Sequence, residues 1–301
     1  MLGPGPRRPV GAWTGSQRGS PPLEPDGQTG RMADASLDAL RARLRELGSV
    51  VVALSGGADS AFLAWVANDE LGDGALAATA VSPSLPGDER LACARLAESW
   101  GLRWIEVETD ELDNPSYARN DGDRCYWCKE AMMRALGPIA AREGATIVLG
   151  VNLDDLGDHR PGQQAAAERG AAFPLVDAGF TKADVREHSR RLGLSTWDKP
   201  AAACLASRVP YGTPVTLGRL SAVERAEAAL RRLGFRELRV RHHGEVARIE
   251  VPEHQLDAVV AQRADVVAAV TAAGYRWATL DLAGLRSGGF NSLLSLADGA
   301  P

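Results

Sequence analysis

A chain of 301 residues, 45% apolar and 24% charged, has the length and composition of a folded globular protein with room for two domains, which excludes a disordered or fibrous one. Its formal net charge of -5 argues against bulk electrostatic binding to nucleic acid, leaving Arg231, Arg232, Arg236, Arg239 and Arg241 as material for a local basic patch. No apolar run is long enough to span a bilayer and the start of the chain lacks a secretion signal. A cytoplasmic protein is therefore expected, in which four cysteines point to metal, cluster or thiol chemistry rather than to disulfides.

Residues 1–31 are crowded with Gly, Pro, Gln and Arg and read as a flexible tail. Leu37, Leu40, Leu44 and Leu47 recur at helical spacing and predict a first amphipathic helix ending at Gly48. The apolar run Val50–Leu54 has the character of a buried parallel strand. A glycine loop follows it, then a helix opening near Asp59. Strands are expected at Ala75–Val81, Leu102–Val107 and Thr146–Gly150, and helices at Asp88–Trp100 and Lys129–Glu143. This β-α-β rhythm implies an open parallel sheet covered on both faces, with ligands at the carboxyl ends of its strands.

The pattern changes after about residue 215. Ser221 and Glu224 have capping-box spacing for a helix that stops at Gly234. A hairpin is expected through Leu238–Val240 and Val246–Val251, then one long helix at Glu253–Ala273 and a strand at Trp277–Leu282. The boundary falls in Pro210–Pro214, which gives a domain at 32–214, a small α+β unit at 215–285 and a C-terminal tail at 286–301.

The strongest signal is the loop Ser55-Gly56-Gly57-Ala58-Asp59-Ser60 between a buried strand and a helix. Adjacent glycines allow tight curvature with amides turned toward an anion, and the helix start adds unpaired N–H groups. Ser55 and Ser60 can donate to phosphate oxygens, and Asp59 can help to hold magnesium. The loop is neither the lysine-bearing Walker loop nor the GxGxxG pattern. It resembles the SGGxDS signature of the PP-loop ATP pyrophosphatases, which cleave ATP between its α and β phosphates and transfer AMP to a carboxylate or carbonyl oxygen.

Cys125 and Cys128 stand three positions apart, just before the helix predicted from Lys129. That spacing can chelate a metal ion, and a helix N-terminus lowers a thiol's pKa. Cys204 is a third candidate, with Arg208 near enough in sequence to stabilise a thiolate. Three cysteines can hold three irons of a [4Fe-4S] cluster whose fourth iron stays open to sulfide; alternatively, Cys204 alone surrenders or relays its sulfur. Cys93, inside an amphipathic helix, reads as a small buried hydrophobe.

Several ordered motifs between Leu37 and Leu282 together resemble one family, the ATP-dependent sulfur transferases of nickel-pincer nucleotide synthesis known as the LarE family. They are the PP-loop, Asn120 with Arg124–Lys129, Gly150–Gly162, Trp197–Pro200, Cys204–Gly212, and Arg239–His242 with Ala247–Glu250. The resemblance implies an adenine nucleotide alpha-hydrolase-like, Rossmann-type parallel sheet followed by a small α+β domain, and a homo-oligomer. It also implies a pyridinium dicarboxylate mononucleotide substrate whose carboxylate is adenylated and then attacked by Cys204. In sacrificial members the thioester breaks on the protein side and leaves dehydroalanine. Other members, with three cysteines, are thought to hold a [4Fe-4S] cluster that presents sulfide, and this sequence, with Cys125, Cys128 and Cys204, resembles that type.

On the same basis ATP and Mg2+ would engage Ser55, Gly56, Gly57, Asp59, Ser60, Asn152 and Asp155, with Asp154 and Asp158 beside them. Arg160 and Lys199 are charge clamps for ATP, and Arg208, Arg239 and Arg241 are ligands for the substrate phosphate. Asp59, Lys199 and Cys204 are the catalytic candidates, while Glu224 reads as a cap and Glu227 as surface. Three alternatives share the loop: a tRNA-thiolation enzyme, an amidating ligase with no need of Cys204, and a non-enzymatic adenine-nucleotide sensor.

Overall fold

The computed structural model describes residues 27–156, 161–200 and 203–286. Helix α1 (Gly27–Leu47) leads into strand β1 (Val50–Ala53), helix α2 (Ala58–Leu71), β2 (Ala75–Val81), α3 (Gly87–Trp100) and β3 (Trp104–Glu108). A short α4 (Pro115–Ala118) precedes α5 (Arg124–Glu143) and β4 (Thr146–Val148). Helices α6 (Pro161–Glu168), α7 (Pro174–Asp177) and α8 (Lys182–Arg191) close the first part. The second part is α9 (Leu217–Arg232), β5 (Arg239–His243), β6 (Val246–Glu250), α10 (Leu256–Ala261), α11 (Arg263–Ala272) and β7 (Trp277–Leu280).

The first sheet is parallel throughout, in the order β3-β2-β1-β4. Side chains alternate across a strand, and both faces here are covered, so its central strands are apolar except for Thr79, whose buried hydroxyl donates to the Leu54 carbonyl. Val50, Val52, Ala75, Ala77 and Val148 pack with Leu40, Leu44, Phe62 and Val185 of α1, α2 and α8. Val51, Leu76, Ala78 and Ile147 face the other way, onto Met132, Met133 and Leu136 of α5. The Rossmann-like parallel sheet and the small mixed sheet that follows it are the expected fold class.

In the second sheet β5 and β6 are antiparallel, and β7 joins β6 in parallel. Its core gathers Val223, Leu230, Val240, Ile249 and Val270, together with Tyr117, Leu205 and Ala206 from earlier in the chain. Cys128 and Cys204 pack against that same core.

Several expected boundaries move. Helix α1 starts at Gly27, inside the stretch read as tail, because the last proline of that stretch is Pro25 and none interrupts Gly27–Leu47. Helix α5 starts at Arg124, so Cys125 and Cys128 lie within its first turns and not ahead of it. Ser221 and Glu224 are not a capping box: α9 begins at Leu217, and its N-cap Thr216 accepts from the Arg219 amide. Glu224 instead accepts a 2.8 Å bond from the Gly87 amide at the start of α3. The long helix expected over Glu253–Ala273 is a 3-10 turn followed by α10 and α11, bent at Gln262 so that Val259, Val266 and Val270 all reach the second core. Residues 1–26 and 287–301, which hold most of both expected tails, lie outside the described residues. No helix among the described residues is long and apolar enough to cross a membrane.

Candidate active site

Strand β1 ends in a loop whose amides and hydroxyls are already organised. Gly56 adopts φ +74°, a left-handed conformation that disfavours any residue with a Cβ. The Ser60 hydroxyl accepts from the Ser55 amide at 3.2 Å, lies 2.9 Å from the Ser55 hydroxyl and donates to the Gly57 carbonyl at 3.2 Å. Gly57 caps α2, which places Asp59 in the helix's first turn. Just past β4 the backbone runs so close to this turn that a Cβ on Gly150 would stand 2.7 Å from the Ser60 nitrogen. A cavity of ≈ 220 Å³ opens there, lined by Ser55, Gly57, Asp59, Ser60, Thr79, Lys129, Met132 and Gly150. It lies at the carboxyl ends of β1, β2 and β4, where the strand order switches direction and open parallel sheets bind ligands.

Charge around the loop is densely paired. Burial, and then the neighbouring Asp155 carboxylate, push the Asp59 carboxyl above its ordinary range, while Asn152 and Lys182 oppose them. Asn152 is buried and opens the turn Leu153–Asp155, where its amide donates to Asp155. Lys182 Nζ sits 3.0 Å from Asp155 Oδ1, and the Lys182 amide donates to Asp154 at 2.7 Å, so Asp154 serves the start of α8. Lys199 Nζ donates to the Gly56 carbonyl at 2.9 Å and to Glu89 at 2.7 Å. Two carboxylates beside a phosphate loop suit Mg2+, which takes one or two carboxylates and completes its shell with phosphate oxygens and water.

The thiols stand on a separate scaffold. Cys204 precedes the 3-10 turn Leu205–Arg208, and the Leu205 amide donates to the Ser84 carbonyl at 2.9 Å. Buried Arg124 donates to the Asn120 side chain at 2.5 Å and to the Ala206 carbonyl at 3.0 Å, with its guanidinium 5.4 Å from the centre of the Tyr211 ring. Asn120, itself at φ 64°, donates to the carbonyls of Val209, Pro210 and Thr213. The Cys204 segment is thus pinned by the turn that leads into α5. Cys125 is exposed, whereas Cys128 and Cys204 are partly buried. Burial, together with the nearby Cys204, pushes the Cys128 thiol up to about 12. Cys93 is fully buried as expected, and burial raises its thiol as well. Among the described residues no group of three or more His, Cys, Asp or Glu side chains is arranged to hold a metal ion. The placement of Cys125, Cys128 and Cys204 thus lends no support to the expected [4Fe-4S] cluster.

A second cavity of ≈ 220 Å³ is lined by Asp88, Glu89, Lys199, Arg208, Arg231, Arg236 and Arg239. Lys199 borders it and also donates to the Gly56 carbonyl, so one side chain joins this cavity's wall to the nucleotide loop. Arg208 is buried and its charge is met by Glu227 at 2.9 Å; its other donors hold the carbonyls of Ala203 and Cys204. Arg241 is equally buried, paired with Glu250 at 2.9 Å and donating to the Ser207 carbonyl. Glu227, expected at the surface, is 0% exposed and also accepts from Arg231 and the Val240 amide. Arg239 is half-buried and donates to the Arg286 carbonyl at 2.8 Å. Its cation is disfavoured by burial and by the positive charges of Arg241 and Arg208, an environment that a bound anion would relieve.

The asparagine synthase family matches residues 31–126, the segment that carries the loop. An uncharacterized protein of Synechocystis is 44% identical over 268 residues, 88% of this chain and 100% of that protein. Pyridinium-3,5-bisthiocarboxylic acid mononucleotide synthase of Lactiplantibacillus plantarum is 38% identical over 260 residues, 86% of this chain and 94% of the synthase. The chain belongs to the LarE family of PP-loop ATP pyrophosphatases. An uncharacterized protein of Methanocaldococcus jannaschii is 25% identical over 192 residues, 64% of this chain and 73% of that protein.

Within this LarE-family chain, the fold brings Ser55, Gly56, Gly57, Asp59, Ser60, Asn152, Asp155 and Lys199 to one loop. It engages Arg208 and Arg241 with buried carboxylates and leaves Arg239 facing the second cavity. Arg160 and Asp158 lie outside the described residues. Sequence reasoning missed Lys182, Glu89 and Lys129. The capping box of Thr181 and Asp184 marks a helix start, and with it a site for Lys182. Lys129 closes the Arg124–Lys129 motif, and its position directly after Cys128 is the signal that marks it.

Proposed function

We propose that this LarE-family enzyme adenylates a carboxylate of pyridinium-3,5-biscarboxylic acid mononucleotide and converts it to a thiocarboxylate, with Cys204 as the sulfur source. The observation that carries this reading is the position of Lys199, which lines the second cavity and donates to the Gly56 carbonyl of the nucleotide loop, with the Cys204 backbone held by Arg208 on that cavity's wall. A nucleotide in the first cavity and a phosphorylated substrate in the second, its phosphate on Arg239, would meet near Lys199.

ATP phosphates would lie on the Ser55–Ser60 loop, and Asp59 and Asp155 are the carboxylates that would hold Mg2+. When bound, that ion offsets phosphate charge as a Lewis acid. A substrate carboxylate oxygen attacks the α-phosphorus; the new O–P bond forms as the bond to the β-phosphate oxygen breaks and pyrophosphate leaves with the electron pair. Lys199 and the loop amides stabilise the charge that develops. The Cys204 sulfur, its proton passing to solvent, then attacks the acyl carbon and AMP departs with the C–O pair, giving a thioester. Loss of the Cys204 Cα proton to a base forms the Cα=Cβ bond and releases sulfur on the substrate as a thiocarboxylate. The sequence is redox-neutral and leaves dehydroalanine at position 204.

The test is intact mass and product analysis after incubation with ATP, Mg2+ and the dicarboxylate mononucleotide. Pyrophosphate, thiocarboxylate and a protein lighter by the mass of hydrogen sulfide, about 34 Da, are expected together. Iron and labile sulfide after anaerobic purification, with protein mass unchanged by turnover, would move the sulfur source to a cluster-bound sulfide. Absence of pyrophosphate with this substrate would sink the adenylation reading.

A further inference from the structure

Three lysines converge on the nucleotide loop, and two of them already have counter-charges. Lys182 sits 3.0 Å from Asp155, and Lys199 is 2.7 Å from Glu89. The third, Lys129, lines the nucleotide cavity alongside Ser55, Asp59 and Ser60. Among the described residues its ammonium hydrogen-bonds only to the Met132 sulfur, at 3.7 Å, and has no carboxylate partner. A thioether is a weak acceptor, and an ammonium drawn partly out of water calls for an anion.

Position narrows which anion. In the adenylation reading, Asp59 and Asp155, with the loop amides, would serve the pyrophosphate end of the nucleotide. Lys129 reaches the cavity from α5, the helix that carries Cys125 and Cys128, and its charge is close enough to Cys128 to favour that thiolate. Cys128 in turn lies beside Cys204, so Lys129 stands on the side from which the Cys204 sulfur would approach. We infer that Lys129 is a catalytic residue that binds a non-bridging oxygen of the nucleotide α-phosphate, steadying it during in-line transfer and keeping AMP in place once pyrophosphate has gone.

The inference rests on the adenylation reading for its catalytic half only. Lys129 keeps its protons throughout and supplies charge where the transition state gathers it.

Binding of adenosine, AMP and ATP to wild type, Lys129→Met and Lys129→Arg, measured by calorimetry without substrate at one salt concentration, separates the two halves. Losing a charge-assisted contact should weaken AMP and ATP about tenfold to a hundredfold in Lys129→Met while adenosine binds as before, with Lys129→Arg close to wild type. Substrate-dependent pyrophosphate release should fall further, about a hundredfold to a thousandfold. Equal weakening of all three ligands would mean a structural role, and unchanged AMP affinity would mean no phosphate contact; either overturns the inference. If AMP binding depends on Lys129 while wild type releases no pyrophosphate with the dicarboxylate, the contact stands and the adenylation reading falls.

Discussion

Glu227 receives Arg208, Arg231 and the Val240 amide at a point with no access to water, and so joins the Cys204 turn, helix α9 and strand β5. Glu227→Ala would leave the Arg208 guanidinium buried without a counter-charge, a change that costs about 3–5 kcal/mol. Chemical denaturation should show that loss, and thiol accessibility should rise at Cys204, whose backbone Arg208 holds. Cys128 offers a pH test. Burial raises its thiol above the ordinary value of about 8.5, so the folded state keeps a proton that the unfolded chain gives up. Its contribution to stability is present below that value and declines as pH rises toward about 12. Urea melts compared between wild type and Cys128→Ala should converge over that window, and iodoacetamide at pH 8 should label exposed Cys125 far ahead of Cys128. For Cys204→Ala the expected outcome is pyrophosphate release without thiocarboxylate, read from the same reaction mixture. The residues hardest to read from sequence were Arg208 and Arg241. Each looks like a free anion ligand until its carboxylate, 19 and 9 positions away, is folded against it.

At the scale of the element, the close approach of β4 to the loop makes the sharpest prediction. A methyl group on Gly150 would meet Ser60 backbone atoms, which have no freedom to yield. Gly150→Ala should cost about 1–3 kcal/mol or more and lower ATP affinity, whereas Gly56→Ala combines about 1–2 kcal/mol of left-handed strain with a 3.0 Å contact to Cys93 Sγ. Melting temperature and nucleotide binding, measured on both variants, separate damage to the loop from general loss of stability. The elements themselves were legible where chemistry is local. Strand β2 occupies the expected Ala75–Val81 because an apolar run bounded by glycine and proline admits little else. Helix α9 was misplaced at its start because Ser221 and Glu224 mimic a cap inside a helix whose real cap is Thr216. The bend at Gln262 had no Gly or Pro to announce it, since it serves the packing of valines against the second core.

For the molecule as a whole, two sheets with separate cores are linked by polar bonds, Glu224 on Gly87 and Arg231 on Asp88, and by Tyr117, Leu205 and Ala206 packing into the second core. The fold class was readable from the alternation of strands and helices, but the reach of Lys199 to the nucleotide loop and of Glu224 to α3 was not, because both are contacts more than a hundred residues apart in sequence. The strand order β3-β2-β1-β4 carries a further implication for how the protein comes into being. Strand β1 is central, yet one of its edges stays open until Thr146–Val148 pairs with Val50–Val52. On a ribosome, roughly half the chain must emerge before the nucleotide loop gains its second wall, and long-range parallel pairing of this kind forms slowly. A nascent chain halted before residue 146 should therefore expose β1 to chaperones and fail to retain ATP.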